Sequence, residues 1–253
     1  MGKSKERTDL IIGRNAVKEA LRAKRGIDTI FIAKSIAHSA ISEILKQAKE
    51  QDILLKEADG KKLDFMSGHA AHQGIVAVAA VKSYVTVDDI FERSEQRKES
   101  PFIIILDELE DPHNLGAVIR TAECVGAHGV IIPKRRSVGL TYTVGKASAG
   151  GLEYMLVSRV TNIASTIDDL KKRGVWIYGA DMGGSTWCET DLKGPIGLVI
   201  GNEGRGISRL IKEKCDQIIS LPMVGQIHSL NASVAAGVLM YEIARQRLGL
   251  KAR

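Results

Sequence analysis

Three short stretches carry residue types and spacings that could do chemistry. The first is Asp107-Glu108-Leu109-Glu110-Asp111-Pro112-His113-Asn114-Leu115-Gly116-Ala117-Val118-Ile119-Arg120. Asn114 is a natural N-cap for the helix that follows. Leu115, Val118, Ile119, Ala122 and Val125 share one face of that helix, so Arg120 sits on roughly the opposite face, open to solvent, a ligand or another subunit. An ion pair with Glu123 one turn on is the ordinary alternative for Arg120, and spacing alone favours it. The second stretch, Gly201-Asn202-Glu203-Gly204-Arg205-Gly206, lies between an apolar run and a helix, where glycines let backbone amides approach a ligand. Glu203 would repel a phosphate there, so the loop suits a neutral or cationic ligand; a tight turn with glycine helix caps is the equally weighted alternative. The third runs from Leu221-Pro222-Met223 to Ser229-Leu230-Asn231-Ala232-Ser233, where Ser229 or Asn231 can cap the last helix.

Several chemistries are excluded by the same spacings. The glycine order G-x-x-G-x-G is not the dinucleotide fingerprint, which disfavours an oxidoreductase. Gly139 to Ala147 has one residue too many between its glycines for a P-loop and an alanine where a magnesium-binding hydroxyl is required. His69-Ala70-Ala71-His72 offers two imidazoles but no further ligand to complete a metal set, and no serine-hydrolase elbow or paired-cysteine deaminase signature is present. No metal is expected.

The elements that must position these stretches divide the 253 residues into two parts. Residues 8–82 alternate helix-like segments (13–21, 41–49) and strand-like segments (29–33, 53–55, 74–81), a small α/β domain. Residues 83–100 are densely charged with few core positions, and read as a short helix and linker. From residue 101 a regular rhythm begins. Strands are expected at 102–106, 130–132, 175–178, 196–200 and 217–221, and helices at 115–125, 143–149, 163–172, 207–215 and 231–247. This alternation implies an open parallel sheet covered on both faces, with ligands beyond the carboxyl ends of its strands.

Composition sets the wider bounds. Lys and Arg number 36 and Asp and Glu 30, a net +6 that favours a polyanionic partner. Aromatic residues make up only 4%, against a binder that stacks successive bases. No apolar run approaches the roughly 20 residues of a bilayer span, so no membrane association is expected. The basic first residues lead into no apolar signal core, and Cys124, Cys188 and Cys215 are odd in number and far apart, as in a reducing cytoplasm. Lys134-Arg135-Arg136, with Lys3, Lys5, Arg7 and Arg14, are candidate contacts to a nucleic-acid backbone; a solvated charged face is the bland alternative.

Together the three stretches resemble the SpoU (TrmH-like) branch of the SPOUT RNA methyltransferases. The matching segments are Asn114 to Arg120, Leu198 to Gly206, and Leu221-Pro222-Met223 through Ser233. Gly13-Arg14-Asn15-Ala16-Val17 and His72-Gln73-Gly74-Ile75-Val76 are similar to the family's L30e/L7Ae-like substrate-binding domain. The whole chain is similar to bacterial 23S ribosomal RNA guanosine-2′-O-methyltransferases. The resemblance implies an α/β fold with a carboxyl-terminal SPOUT domain at 101–253, whose parallel sheet carries a deep trefoil knot. It also implies a homodimer with the site near the subunit interface, an RNA substrate, and S-adenosylmethionine as methyl donor.

By the same resemblance Gly201, Leu221, Met223 and Leu230 would line the donor pocket. Ser229 and Asn231 would position reacting groups, and Asn114 and Glu203 would hold the motif loops together. Arg120 would serve catalysis directly, as a fixed cation, since a guanidinium does not deprotonate in proteins. Two alternatives remain: a transfer RNA ribose as substrate, and a non-catalytic RNA-binding or ribosome-assembly protein on the same scaffold.

Overall fold

The computed structural model describes residues 10–250. Lys3, Lys5 and Arg7 lie outside the described residues. The chain forms two compact units. Among the described residues, one comprises 10–83 with Gly139–Tyr142, and the other comprises Tyr84–Val138 with 143–250.

The first unit is built on a mixed four-stranded sheet in the order β1-β4-β2-β3, with β1 Leu10–Ile12, β2 Ile27–Ala33, β3 Leu54–Ala58 and β4 Ile75–Ala79. β2 lies between two neighbours and is buried at nearly every position, parallel to β3 and antiparallel to β4. Helix α1 (Arg14–Arg22) turns Val17, Ala20 and Leu21 inward, and α2 (Ser42–Glu50) adds Ile44 and Ala48 to the same core. The sequence reading misses β1 and α3 (Gly60–Ser67). Helix α3 buries only Leu63 and Ser67, too few positions to mark a period; Asp59 accepts the Lys62 amide at its start, and Gly68, at φ 62°, ends it.

The second unit carries six parallel strands in the order β10-β8-β9-β5-β6-β7. They are β5 Phe102–Leu106, β6 Gly129–Pro133, β7 Val157–Val160, β8 Trp176–Thr186, β9 Ile196–Ile200 and β10 Gln217–Ser220. β5, β6 and β9 are buried along their whole length, which is why they read as unbroken apolar runs. The helices are α4 Val87–Arg97, α5 Pro112–Cys124, α6 Tyr142–Ala147, α7 Gly151–Tyr154, α8 Ile163–Lys172, α9 Arg209–Lys214 and α10 Ala232–Arg247. The chain runs outward from β5 through β6 to β7 and then crosses back, so β5 and β9 flank the point where the strand order reverses. Crevices in open α/β sheets form outside such a point.

The 83–100 segment, expected as a helix and linker, forms that helix and packs into the second unit. Thr86 and Asp89 cap α4 reciprocally, each side chain accepting the other's backbone amide. Ile90 is fully buried among Ile103, Ile105 and Ile131, and a Cβ on Gly129 would lie 2.5 Å from it. Charge density hid this because the packing rests on few apolar positions, Ile90 with half-buried Val87 and Phe91 beside it. At the far end, Arg247 donates to the carbonyl oxygens of Ser100, Pro101 and Gly194, tying the end of α10 to the residues that precede β5 and β9. Burial pushes its pKa down to about 10.

Candidate active site

Beyond the carboxyl ends of β8, β9 and β10 lies a cavity of about 400 Å³. Gly201, Glu203, Leu221, Met223, Ser229 and Leu230 all line it, together with Asp181, Met182, Arg205 and His228. Its wall is apolar along Ile200, Ile219 and Leu239 and polar along the Gly201–Gly206 loop. That mixture suits a small ligand with an apolar body and a few polar groups.

The loop is held by its own backbone. Asn202 and Gly206 exchange two amide hydrogen bonds of 3.0 and 2.9 Å, and the Asn202 side chain accepts the Gly204 amide while donating to the Glu108 carbonyl oxygen. A Cβ on Gly201 would stand 2.2 Å from the Gly206 carbonyl carbon, so glycine is required by close approach. Ser208 donates its amide to Asp107 at 2.7 Å, joining the end of this loop to the end of β5.

Three of the expected residues form one relay. Asn114 Nδ2 donates to Glu203 Oε1 at 2.6 Å, Asn231 Nδ2 donates to Asn114 Oδ1 at 3.0 Å, and Asn231 Oδ1 accepts the Ser233 and Val234 amides as the cap of α10. The carboxylate can only accept, so it sets the orientation of both amides in turn. Asn114 is not the cap of α5, contrary to the sequence expectation. Asp111 takes that place by accepting the His113 amide, with Pro112 at the first helical position. Asn114 therefore falls inside the first turn and is buried, and its side chain is free for the relay.

Arg120 is exposed on α5 and does not line the cavity. The ion pair with Glu123 that spacing favoured is not formed, and Arg120 makes no hydrogen bond or ion pair among the described residues. Its backbone is nevertheless fixed: a Cβ on Gly151 would lie 2.9 Å from Arg120 Cα, so α7 closes directly on α5. An uncommitted guanidinium on an anchored backbone is suited to meet an incoming anion.

The sequence reading misses Asp181 and Met182 because it ends β8 at Tyr178. The strand continues to Thr186, with an irregular register between Ile218 and Ile219 of its partner β10. Asp181 is committed on both oxygens, to the Met182 amide and to Lys212 at 2.9 Å. Of the other candidates, Arg136 pairs with Glu108, and Arg14 binds Gln73. Burial, then the nearby Arg159, pushes the Lys134 pKa down. His72 accepts the Gly74 amide at Nδ1 and meets Asp64 at Nε2, so its hydrogen-bonding capacity is met within the protein.

Residues 101–241 match the profile of the SpoU rRNA methylase family, and residues 10–85 match that for RNA 2′-O ribose methyltransferase substrate binding. The chain belongs to the SpoU (TrmH) family of RNA 2′-O-ribose methyltransferases. A putative TrmH family tRNA/rRNA methyltransferase of Bacillus subtilis is 49% identical over 240 residues, spanning 94% of this chain and 96% of that one. Its counterpart in Staphylococcus haemolyticus is 46% identical over 239 residues, with the same coverage. Among solved structures, the SpoU methyltransferase AviRb of Streptomyces viridochromogenes, in complex with AdoMet, superposes with a TM-score of 0.61 at 25% identity, covering 95% of this chain and 90% of that one. An AdoMet-bound rRNA methyltransferase of Sinorhizobium meliloti shares the fold, with a TM-score of 0.60 at 23% identity, covering 97% of this chain and 89% of that one. No helix among the described residues is long and apolar enough to cross a membrane.

Proposed function

We propose that this chain transfers a methyl group from S-adenosylmethionine to the ribose 2′-hydroxyl of a guanosine in large-subunit ribosomal RNA. The observation that carries the reading is the cavity beside the Glu203–Asn114–Asn231 relay, with Arg120 left unpaired on the helix the relay anchors. The donor fits the residues present. It has no phosphate, in keeping with a loop that holds a carboxylate, and its adenosine and methionine-chain carbons suit the Ile219, Leu221, Met223 and Leu230 wall. When bound, it supplies an electrophilic methyl on a sulfonium leaving group.

The protein's own part is positioning and charge management. Gly201, Leu221 and Leu230 hold the donor, Met223 packs beside it, and Ser229 and Asn231 position the reacting groups. Arg120 stabilises the developing 2′-alkoxide and grips the adjacent phosphate. The trefoil knot implied by the resemblance belongs to the same reading.

A second copy of the chain completes the assembly. Val234, Val238 and Tyr241 recur at helical spacing on α10 and are 51%, 39% and 58% exposed, continuous with exposed Leu230 at the cavity. Light scattering should give a dimer, and Tyr241→Glu should give monomers with reduced transfer; a monomeric, fully active wild type would remove the partner from this account.

The substrate is tested by incubating the protein with labelled S-adenosylmethionine and either ribosomal or transfer RNA, then mapping the product by mass spectrometry. One 2′-O-methylguanosine in large-subunit RNA is expected. Label confined to transfer RNA favours the second reading, consistent with the tRNA/rRNA naming of the relatives. Failure to bind the donor or to label either RNA favours the non-catalytic scaffold.

A further inference from the structure

Among the described residues, the wall of the cavity carries two carboxylates, Asp181 and Glu203, and one permanent cation, Arg205. The fold uses only part of this charge. Asp181 is taken by the Met182 amide and by Lys212, and Glu203 gives Oε1 to Asn114. Among the described residues the second oxygen of Glu203 accepts no hydrogen bond, and Arg205 makes no hydrogen bond or ion pair. His228 also lines the wall without a partner among them, but an imidazole is a cation only when protonated.

The backbone keeps both charges at the wall. Asn202 and Gly206 pair in antiparallel fashion and close Glu203, Gly204 and Arg205 into a three-residue tip. The Asn202 side chain accepts the Gly204 amide, so the middle of the tip is fixed as well. Glu203 turns to Asn114 at 2.6 Å and does not pair with Arg205 two positions on. The tip thus brings an exposed carboxylate and an exposed arginine, not neutralised by each other, to the polar side of an otherwise apolar cavity. A ligand that matches carries an anion and a cation close together on an apolar body. The α-amino-acid end of S-adenosylmethionine has that pattern, with a carboxylate for the arginine and an ammonium for the open glutamate oxygen. Taking a carboxylate out of water without a cation is costly, and the planar guanidinium fork can hold both of its oxygens at once. A phosphate fits less well, because Glu203 repels it and it brings no cation for that oxygen.

We propose that Arg205 binds the α-carboxylate of the methyl donor and so selects ligands that carry an intact amino-acid end. The inference rests on the proposed use of S-adenosylmethionine, and its test reads donor binding with no RNA present. Calorimetry of the full chain compares S-adenosylmethionine with its decarboxylated form, which keeps the adenosine, the sulfonium and the amine and lacks only the carboxylate. The wild type should bind the decarboxylated form roughly tenfold more weakly, the low end for a hydrogen bond to a charged group because this site is open to water. Arg205→Gln should lose the same factor with S-adenosylmethionine and should not weaken the decarboxylated form at all. Arg205→Lys, which keeps the charge without the fork, should fall between. The side chain has no partner to lose, so the melting temperature of Arg205→Gln should match the wild type. Were that variant unstable, the two ligands compared on the wild type would decide alone. Equal wild-type affinities for the two, or an Arg205→Gln loss as large with the decarboxylated form, overturns the contact. A wild type that binds neither ligand refutes the proposed donor itself, and this contact with it.

Discussion

Arg120→Lys is expected to slow methyl transfer by ~10²–10³-fold, equivalent to about 2.7–4 kcal/mol of transition-state stabilisation, with S-adenosylmethionine affinity near wild type. Lysine keeps the charge but loses the planar fork that can meet an alkoxide and a phosphate together. The residue does not line the cavity proposed for the donor and makes no hydrogen bond or ion pair among the described residues, so its loss should spare donor binding and thermal stability. Single-turnover transfer with labelled donor, alongside calorimetry of donor binding, separates the two quantities. Wild-type turnover in the variant would remove Arg120 from the reaction; an equal loss of donor affinity would place it in the pocket instead.

Gly201→Ala should act in the opposite way, on the pocket before the chemistry. The added methyl would stand 2.2 Å from the Gly206 carbonyl carbon and 2.3 Å from the Ile207 nitrogen, both backbone atoms that cannot swing aside. Accommodating it means breaking the Asn202–Gly206 pairing that shapes the loop. Overpacking of this kind costs about 1–3 kcal/mol, or a loss of roughly five- to 150-fold in donor affinity if the strain falls on the binding-competent loop. Gly204→Ala is the natural comparison, because the nearest atom to its Cβ is the Asn202 side-chain oxygen at 3.6 Å, and its melting temperature should match wild type. Calorimetry with S-adenosylmethionine checks the first variant; undiminished affinity would show that the loop is softer than its contacts indicate.

The relay gives these two variants a common frame. Glu203 is fixed by Asn114, Asn114 by Asn231, and Asn231 by the first amides of α10, so the glycine loop, the helix bearing Arg120 and the last helix are joined through three side chains. Such a chain is rigid only while each member keeps its donor and acceptor ends in order, and the carboxylate at its head enforces that order.

Much of this was legible in the residues alone. The strands at 102–106 and 196–200 declare themselves because a strand buried on both faces must be apolar at every position, and the helix at 163–172 because its apolar residues fall on one face. The loop after Ile200 announces a close backbone approach through its glycines, although spacing could not say what approaches: the answer is the loop's own far end. Tertiary packing decided the rest. Asp111 outcompeted Asn114 as the cap because proline is accepted at the first helical position, which moved Asn114 one turn inward to Glu203. β8 outran its apolar stretch because β10 offered it a partner through an irregular register, carrying Asp181 to the cavity. Local sequence dictates backbone preference and which face seeks the core; which distant side chains then meet is settled only when the strands find their order, because those contacts depend on neighbours that sequence separation does not encode.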